Sequence, residues 1–122
     1  MLVKWAETGV VAEAEGLYRK AFYLDPENVP AMNNLAVLLA EKGDVAEAKG
    51  LYRKALEIKP KHTHAIFNLA VLLEKMGDVD EAKGLYRKTF YLDPTFTLAM
   101  NNLARLLTGM GNIDEAEELC LK

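Results

Sequence analysis

The chain has 122 residues, of which 51% are apolar and 27% are charged, and this is the composition of a globular protein rather than a disordered one. Its 15 basic and 18 acidic side chains give a net charge of −3. This balance argues against non-specific binding of nucleic acid, because such binding needs a basic surface.

The predicted elements follow from a repeat of 34 residues. The string EAEGLYRKAFYLDP at Glu13 returns as EAKGLYRKALEIKP at Glu47 and as EAKGLYRKTFYLDP at Glu81. A second string, NLAVLL, begins at Asn34 and at Asn68, and NLARLL begins at Asn102. In this register a single domain, 1–122, contains a partial repeat at 1–28, full repeats at 29–62 and 63–96, and a partial repeat at 97–122. Three or more such units build a continuous core.

Each full repeat contains two predicted helices. In the first, Met32, Leu35 and Leu39 recur at a spacing of three to four residues, which is typical of a helix with one buried face. In chain order, the predicted helices span Leu2–Thr8, Ala12–Leu24, Pro30–Lys42, Val45–Ile58, Thr63–Met76, Val79–Leu92, Leu98–Met110 and Ile113–Leu121.

Glycine, aspartate and proline mark the predicted helix ends. Gly43 supplies a left-handed conformation that ends one helix, and Asp44 with Glu47 is predicted to form a capping box at the start of the next. Pro60 ends the second helix, because proline lacks an N–H group and restricts the residue before it. The same devices recur at Gly77, Asp78 and Glu81, at Gly111, Asn112 and Glu115, and at Pro26 and Pro94.

The spacing of these residues resembles that of the tetratricopeptide repeat family. The residues that match its signature are Leu35, Ala36, Gly43, Ala48, Tyr52, Ala55 and Pro60, and the resemblance extends over the whole chain. The family's tryptophan near the start of each unit is replaced by Met32, Ile66 and Met100. The resemblance implies an all-α fold, a right-handed α-solenoid of antiparallel helix hairpins, whose first helices line a concave groove. It also implies a non-catalytic scaffold that binds an extended peptide in that groove.

By this resemblance, the side chains that line the groove and bind the peptide are Asn33, Asn34, Val37, His64, Phe67, Asn68, Val71, Lys75, Asn101, Asn102 and Arg105. Asn34, Asn68 and Asn102 form a ladder that is similar to one in the tetratricopeptide region of O-linked N-acetylglucosamine transferases. Each amide can bond the N–H and C=O groups of a peptide backbone. Alternatively, each asparagine bonds a neighbouring helix and fixes the packing between repeats. A clamp for a C-terminal carboxylate is not expected, since it needs paired cations and only Lys75 and Arg105 are near.

The second helices carry a predicted basic ridge of three pairs, Arg19-Lys20, Arg53-Lys54 and Arg87-Lys88. The ridge contacts an acidic partner or RNA, or else it is a solvated face on which Glu15 pairs with Arg19 one turn away. No catalytic set, phosphate-binding loop or acid pair is recognisable in the sequence. His62 and His64 lie two residues apart and point to different helix faces. We therefore expect no enzyme activity, no cofactor and no metal.

Apolar residues near both ends of the chain predict self-association, through Leu2 and Trp5 and through Leu119 and Leu121. The alternative is that the chain is a fragment of a longer array. Two further functions stay open, a substrate-recognition part of a larger enzyme such as a glycosyltransferase, and a self-assembling structural unit. A single cysteine, Cys120, and the absence of a signal or membrane segment in residues 1–10 predict a soluble, cytoplasmic protein. Its expected partner is another protein or peptide, not nucleic acid or a membrane.

Overall fold

A computed structural model describes the backbone of residues 2–109 and the side chains of residues 9–109. All regular structure in this range is helical: α1 (Leu2–Leu24), α2 (Val29–Lys42), α3 (Val45–Ile58), α4 (Thr63–Lys75), α5 (Val79–Leu92) and α6 (Thr97–Gly109). The predicted all-α class is confirmed, and the predicted bounds of α2 to α6 agree with the structure to within one residue. The predicted helix Ile113–Leu121, its cap at Asn112, and Leu119 and Leu121 lie outside the described residues.

The helices form two compact units, Met1–Pro60 (unit 1) and Lys61–Lys122 (unit 2). In unit 1, α2 packs along α3 and α1 packs along α2. In unit 2, α4 packs along α5 and α5 packs along α6. The predicted single domain of four repeats stays a prediction. Among the described residues, no helix combines the length and the apolar character that crossing a membrane requires.

The hairpin core of each unit is built from apolar residues that occupy the same positions in each repeat. Met32, Leu35 and Leu39 of α2 are at most 1% exposed, and they face α3, where Tyr52 is 2% exposed. Unit 2 buries its equivalents in α4 and α5, namely Ile66, Leu69, Leu73, Ala82 and Tyr86. Burying one leucine side chain contributes about 1.5–3 kcal/mol, so this stripe is the main source of stability in each hairpin.

The turns of both hairpins depend on a left-handed glycine. Gly43 has φ 96° and Gly77 has φ 90°, as predicted from their positions after the first helix of each repeat. The residue after each glycine then donates its N–H back to the helix, from Asp44 to the Leu39 carbonyl at 2.8 Å and from Asp78 to the Leu73 carbonyl at 2.8 Å. These bonds satisfy carbonyl groups that the end of a helix leaves unpaired.

The predicted capping boxes at α3 and α5 are wrong. Asp44 and Asp78 occupy the N-cap positions, but neither side chain makes a capping hydrogen bond. Glu47 instead accepts two hydrogen bonds from the Arg19 guanidinium of α1, at 2.9 and 3.2 Å. A bidentate bond between two charged groups is stronger than a single bond from a neutral backbone N–H, and this explains why the carboxylate turns away from the cap.

The predicted break between Leu2–Thr8 and Ala12–Leu24 is also wrong, because α1 is continuous from Leu2 to Leu24. Gly9 and Val10 stand where the hairpins have Gly43 and Asp44. Gly9 does not have a positive φ, unlike Gly43. Val10 also lacks the carboxylate that Asp44 and Asp78 carry at this point, although neither of those side chains makes a capping hydrogen bond. Without a left-handed glycine at this point, the helix continues.

The helix-interior glycines do not serve a close approach of two backbones. A Cβ atom added at Gly16, Gly50 or Gly84 would have no atom within 4 Å. Gly43 is in equally open surroundings, but its φ of 96° lies in the region that side chains avoid. The two kinds of glycine therefore differ in backbone conformation alone.

We expect Gly43→Ala and Gly50→Ala to change stability in opposite directions. Alanine at position 43 would strain the left-handed backbone and lower the free energy of unfolding by about 1–2 kcal/mol. Alanine at position 50 would raise it by about 0.5–1 kcal/mol, because glycine is a poor residue for a helix interior. Urea denaturation followed by circular dichroism measures both variants. Equal changes in the two variants would show that backbone conformation is not the difference between these positions.

Candidate functional site

The predicted peptide-binding residues lie on the half-buried or exposed sides of three helices. Asn33, Asn34 and Val37 belong to α2 of unit 1. The remaining residues belong to unit 2, with His64, Phe67, Asn68, Val71 and Lys75 on α4 and Asn101, Asn102 and Arg105 on α6. On α4, these residues recur three or four positions apart, so they share one face of the helix beside its buried stripe. We call the unit 2 set the α4–α6 face.

A polar cluster joins α4, α5 and α6 at one end of this face. The Tyr86 hydroxyl donates to Glu74 Oε1 at 2.8 Å. Arg105 donates from Nη2 to the same oxygen at 2.9 Å, and its Nη1 lies 2.6 Å from Glu74 Oε2. The Asn102 amide nitrogen lies 3.5 Å from the Tyr86 oxygen. Two of the predicted peptide-binding residues, Asn102 and Arg105, therefore meet Glu74 and Tyr86.

The charges in the polar cluster stabilise each other. The Arg105 guanidinium lowers the pKa of Glu74, and the Tyr86 hydroxyl lowers it further, against the opposing effect of burial. Glu74 in turn raises the pKa of Arg105. Burial raises the pKa of Tyr86, and the neighbouring Glu74 carboxylate adds to this. At neutral pH the cluster thus holds an ion pair and a neutral phenol.

Aromatic rings form the other end of the α4–α6 face. The Phe67 ring centre lies 5.0 Å from that of Phe96 and 5.8 Å from that of Tyr86. The His64 ring lies 5.3 Å from Phe96 in an edge-to-face arrangement. Such pairs contribute about 0.5–1.5 kcal/mol beyond the burial of their area. Through Tyr86, the rings and the polar cluster form one continuous set of contacts.

Phe96 was not among the predicted site residues, although the repeat contains a signal for it. At the equivalent positions, Asn28 and His62 cap the following helices, and His62 Nδ1 accepts the Ala65 N–H at 3.1 Å. A phenylalanine cannot cap a helix in this way, so position 96 departs from the role that the repeat assigns to it. Its ring packs on Phe67 and His64 instead.

The three asparagines of the ladder differ in their contacts. Asn102 reaches Tyr86 on a neighbouring helix, but only at 3.5 Å. The side chains of Asn34, which is exposed, and Asn68, which is half-buried, make no hydrogen bond within the described residues. On α2, Asn33 Oδ1 is buried without a hydrogen-bond partner in that same part of the chain. Of the ladder, only Asn102 fits the alternative in which asparagines bond adjacent helices.

On the basic ridge, Arg19 is held in an ion-pair network with Glu15, Lys42 and Glu47. Arg19 Nε lies 3.0 Å from Glu15, which confirms the pair expected one turn away, and Lys42 lies 2.6 Å from Glu15. Lys42 and Arg19 lower the pKa of Glu15. The Lys54 ammonium lies 4.9 Å from the centre of the Phe22 ring. These contacts fit a solvated face with internal pairs better than a free basic surface. Within residues 9–109, no group of His, Cys, Asp and Glu side chains is arranged to hold a metal ion.

Comparisons with known proteins agree with this geometry. A family model described as tetratricopeptide repeat matches residues 39–89 and 75–122, and a second model of the same description matches residues 17–50. No curated protein matches the sequence.

Several solved structures are similar in fold. The MamA protein superposes with a TM-score of 0.81 over 94% of this chain at 23% identity. The first TPR of Spaghetti (RPAP3), bound to the HSP90 peptide SRMEEVD, gives 0.80 over 88% of this chain and 86% of its own, also at 23% identity. A mutant O-GlcNAc transferase from Thermobaculum terrenum gives 0.75 over 80% of this chain at 25% identity. This chain spans 63% of the MamA chain and 19% of the transferase chain.

We expect Tyr86→Phe to destabilise unit 2 more than Tyr52→Phe destabilises unit 1. Both tyrosines are buried at equivalent positions of the repeat. The Tyr86 hydroxyl donates a hydrogen bond to the Glu74 carboxylate, whereas the Tyr52 hydroxyl makes no hydrogen bond within the described residues. Loss of a hydrogen bond to a charged group costs about 1.5–3 kcal/mol, whereas Tyr52→Phe should cost markedly less. Equilibrium denaturation of the two variants compares them, and equal losses would contradict the polar cluster.

We also expect the contribution of Glu74 to stability to vanish in acid. The pKa of Glu74 in the folded state lies below its ordinary value of 4.5, so its contribution is complete above that value and is lost as the pH falls through the lower, folded-state pKa. The difference in the free energy of unfolding between the wild type and Glu74→Gln should therefore shrink below about pH 4.5. Glu57→Gln, at an exposed position of α3, is the control, and its difference should vary less with pH. A Glu74→Gln difference that stays constant with pH would oppose this account.

Proposed function

We propose that this chain, which belongs to the tetratricopeptide repeat family, binds an extended peptide segment on the α4–α6 face. The repeats of this family are generally non-catalytic modules that bind proteins or peptides, so the chain is a protein-interaction scaffold. In unit 1, we propose that Asn34 of α2 offers the same kind of amide to a peptide backbone.

The observation that carries this proposal is the unbonded amide of Asn68. It is half-buried on α4, between Phe67 and Val71 of the same face, and it makes no hydrogen bond within the described residues. A side-chain amide offers two donors and one acceptor, so it can bond a peptide N–H and C=O together. The Asn68 amide would therefore gain hydrogen bonds when a peptide binds without losing any within the folded chain, and this supports a role in binding.

The chemistry beside Asn68 favours a peptide with apolar side chains. Phe67 and Phe96 offer ring surface, and Val71 adds an aliphatic one on the same face of α4. Arg105 is a cation on the same face, but both of its terminal nitrogens already contact Glu74. An acidic ligand would have to compete with that internal carboxylate. We propose that Arg105 positions Glu74 and Tyr86, while Phe67 and Val71 select the ligand.

The similarity to an O-GlcNAc transferase supports a second candidate, in which the same face recognises the protein substrate of a larger enzyme. Substrate recognition and scaffolding would use the same contacts, because asparagines that bond the peptide backbone accept many sequences. The two functions differ in selectivity, since a substrate-recognition face should bind many different peptides with similar affinity.

The test uses a phage-displayed library of random linear peptides, panned against the wild-type chain. The double variant Asn68→Ala/Asn102→Ala should bind the selected peptides at least tenfold more weakly, because each lost backbone hydrogen bond is worth about 0.5–1.5 kcal/mol. Its melting temperature should stay close to that of the wild type, since Asn68 makes no hydrogen bond within the described residues and the contact of Asn102 with the Tyr86 hydroxyl is long, at 3.5 Å.

The matched control is Lys88→Ala, at an exposed position of α5 outside the face. It should bind the selected peptides as tightly as the wild type does. Selection of no peptide, or equal affinity of the wild type and the double variant, would reject the proposal. A lower melting temperature of the double variant with unchanged binding would assign the asparagines to packing instead.

A further inference from the structure

The outer side of α1 exposes large apolar side chains at a regular spacing. Val10, Leu17 and Leu24 are 66%, 62% and 71% exposed. They lie seven residues apart, so they fall on nearly the same side of the helix. Such a row of exposed apolar side chains is a surface from which water could still be removed.

At the position of Leu17, the other second helices are better covered, since Leu85 of α5 is half-buried and Leu51 of α3 is buried. Leu51 of α3 corresponds to Leu17 in the repeat and is 8% exposed. Tyr52 and Tyr86 are buried, whereas the corresponding Tyr18 is half-buried. In both hairpins the cover is the preceding helix, α2 for α3 and α4 for α5. No described helix occupies that place on α1.

The sequence that would supply the cover is present in the chain. In the register of the repeat, Leu2 and Trp5 correspond to Ala36 and Leu39 of α2, and both of those residues are fully buried against α3. Residues 2–8, however, continue α1 instead of turning back at Gly9 and Val10. A segment that extends a helix cannot at the same time pack on that helix.

We propose that a second copy of this chain provides the cover, with residues 2–8 of each copy packed on the exposed side of the other copy's α1. The two α1 helices then run antiparallel. In unit 1 the turn between α2 and α3 lies at Gly43 and Asp44, so residues at equal distances before and after this turn lie at the same level of the hairpin. Applied to α1, this register places Leu2 of one copy on Leu17 of the other.

The arrangement is a symmetric exchange with its twofold axis near Gly9 and Val10. Each copy contributes the same patch, as a twofold interface requires. With 23 residues, α1 is roughly 34 Å long, which gives the pair a long line of contact. At the axis stands exposed Val10, where the hairpins have Asp44 and Asp78, and an apolar residue suits the centre of an interface better than a carboxylate does. The pairing involves α1 only and does not rest on the proposed peptide site.

The first experiment combines sedimentation velocity with tryptophan fluorescence over a range of protein concentrations. Trp5 is the only tryptophan of the chain and lies in the exchanged segment, so its emission reports on the cover itself. We expect a dimer whose emission shifts to longer wavelength as dilution releases monomers. A monomer at all concentrations would overturn the proposal, and so would a dimer whose emission shows a solvated Trp5.

The second experiment restores the missing turn. Val10→Asp recreates the Gly-Asp pair that ends α2 and starts α3, so residues 2–8 should fold back onto their own helix. We expect a monomer with a buried Trp5 at every concentration. Val10→Ala, which favours the continuous helix, is the control and should stay dimeric. A Val10→Asp protein that dimerises as the wild type does would contradict the exchange.

A third variant does not depend on forming a new turn. Leu17→Ala removes apolar surface from both halves of the symmetric interface and should weaken the dimer at least tenfold. Tyr23→Ala is matched to it, because Tyr23 is 84% exposed on a different side of the same helix, and it should leave the dissociation constant unchanged. An equal effect of the two variants, or none of Leu17→Ala, would place the contact elsewhere.

Discussion

The packing of a first helix on the second helix of its hairpin is the contact on which the rest of this structure depends. Leu35 and Leu39 of α2 are buried against α3, and Leu69 and Leu73 of α4 are buried against α5. This packing needs a reversal of the chain within two residues, which the left-handed Gly43 and Gly77 provide. Once the buried sides of the helices are fixed, the sides that remain accessible are fixed as well, and the candidate site residues lie on those sides.

Function is best sought where one repeat departs from the others. Glu74, whose counterpart in α2 is Ala40, creates an acceptor for Tyr86 and Arg105 that unit 1 lacks. Phe96 replaces a helix cap and joins Phe67 in a ring cluster. Both departures fall on the α4–α6 face, so this face combines a neutralised ion pair, ring surface and an unbonded amide. A backbone-directed ligand with apolar side chains suits this chemistry better than an acidic one.

The same logic explains α1. Its second half carries the repeat's pattern, but the chain does not turn at Gly9 and Val10, where the hairpins have Gly43 and Asp44. Residues 2–8 therefore extend α1, and Leu17 on its outer side stays exposed. The exposed side of α1 and the α4–α6 face therefore arise from different departures from a common pattern.

The 34-residue period by itself determined the family, the helices α2 to α6 and the left-handed glycines, because these depend on residues close together in sequence. It also located the sides of α4 and α6 that stay outside the core. Only the tertiary structure decided that Glu47 bonds Arg19 rather than its own cap, that Arg105 is paired with Glu74, and that the Phe96 ring packs on Phe67. Each of these contacts joins residues on different helices, where geometry, not spacing along the chain, selects the stronger partner.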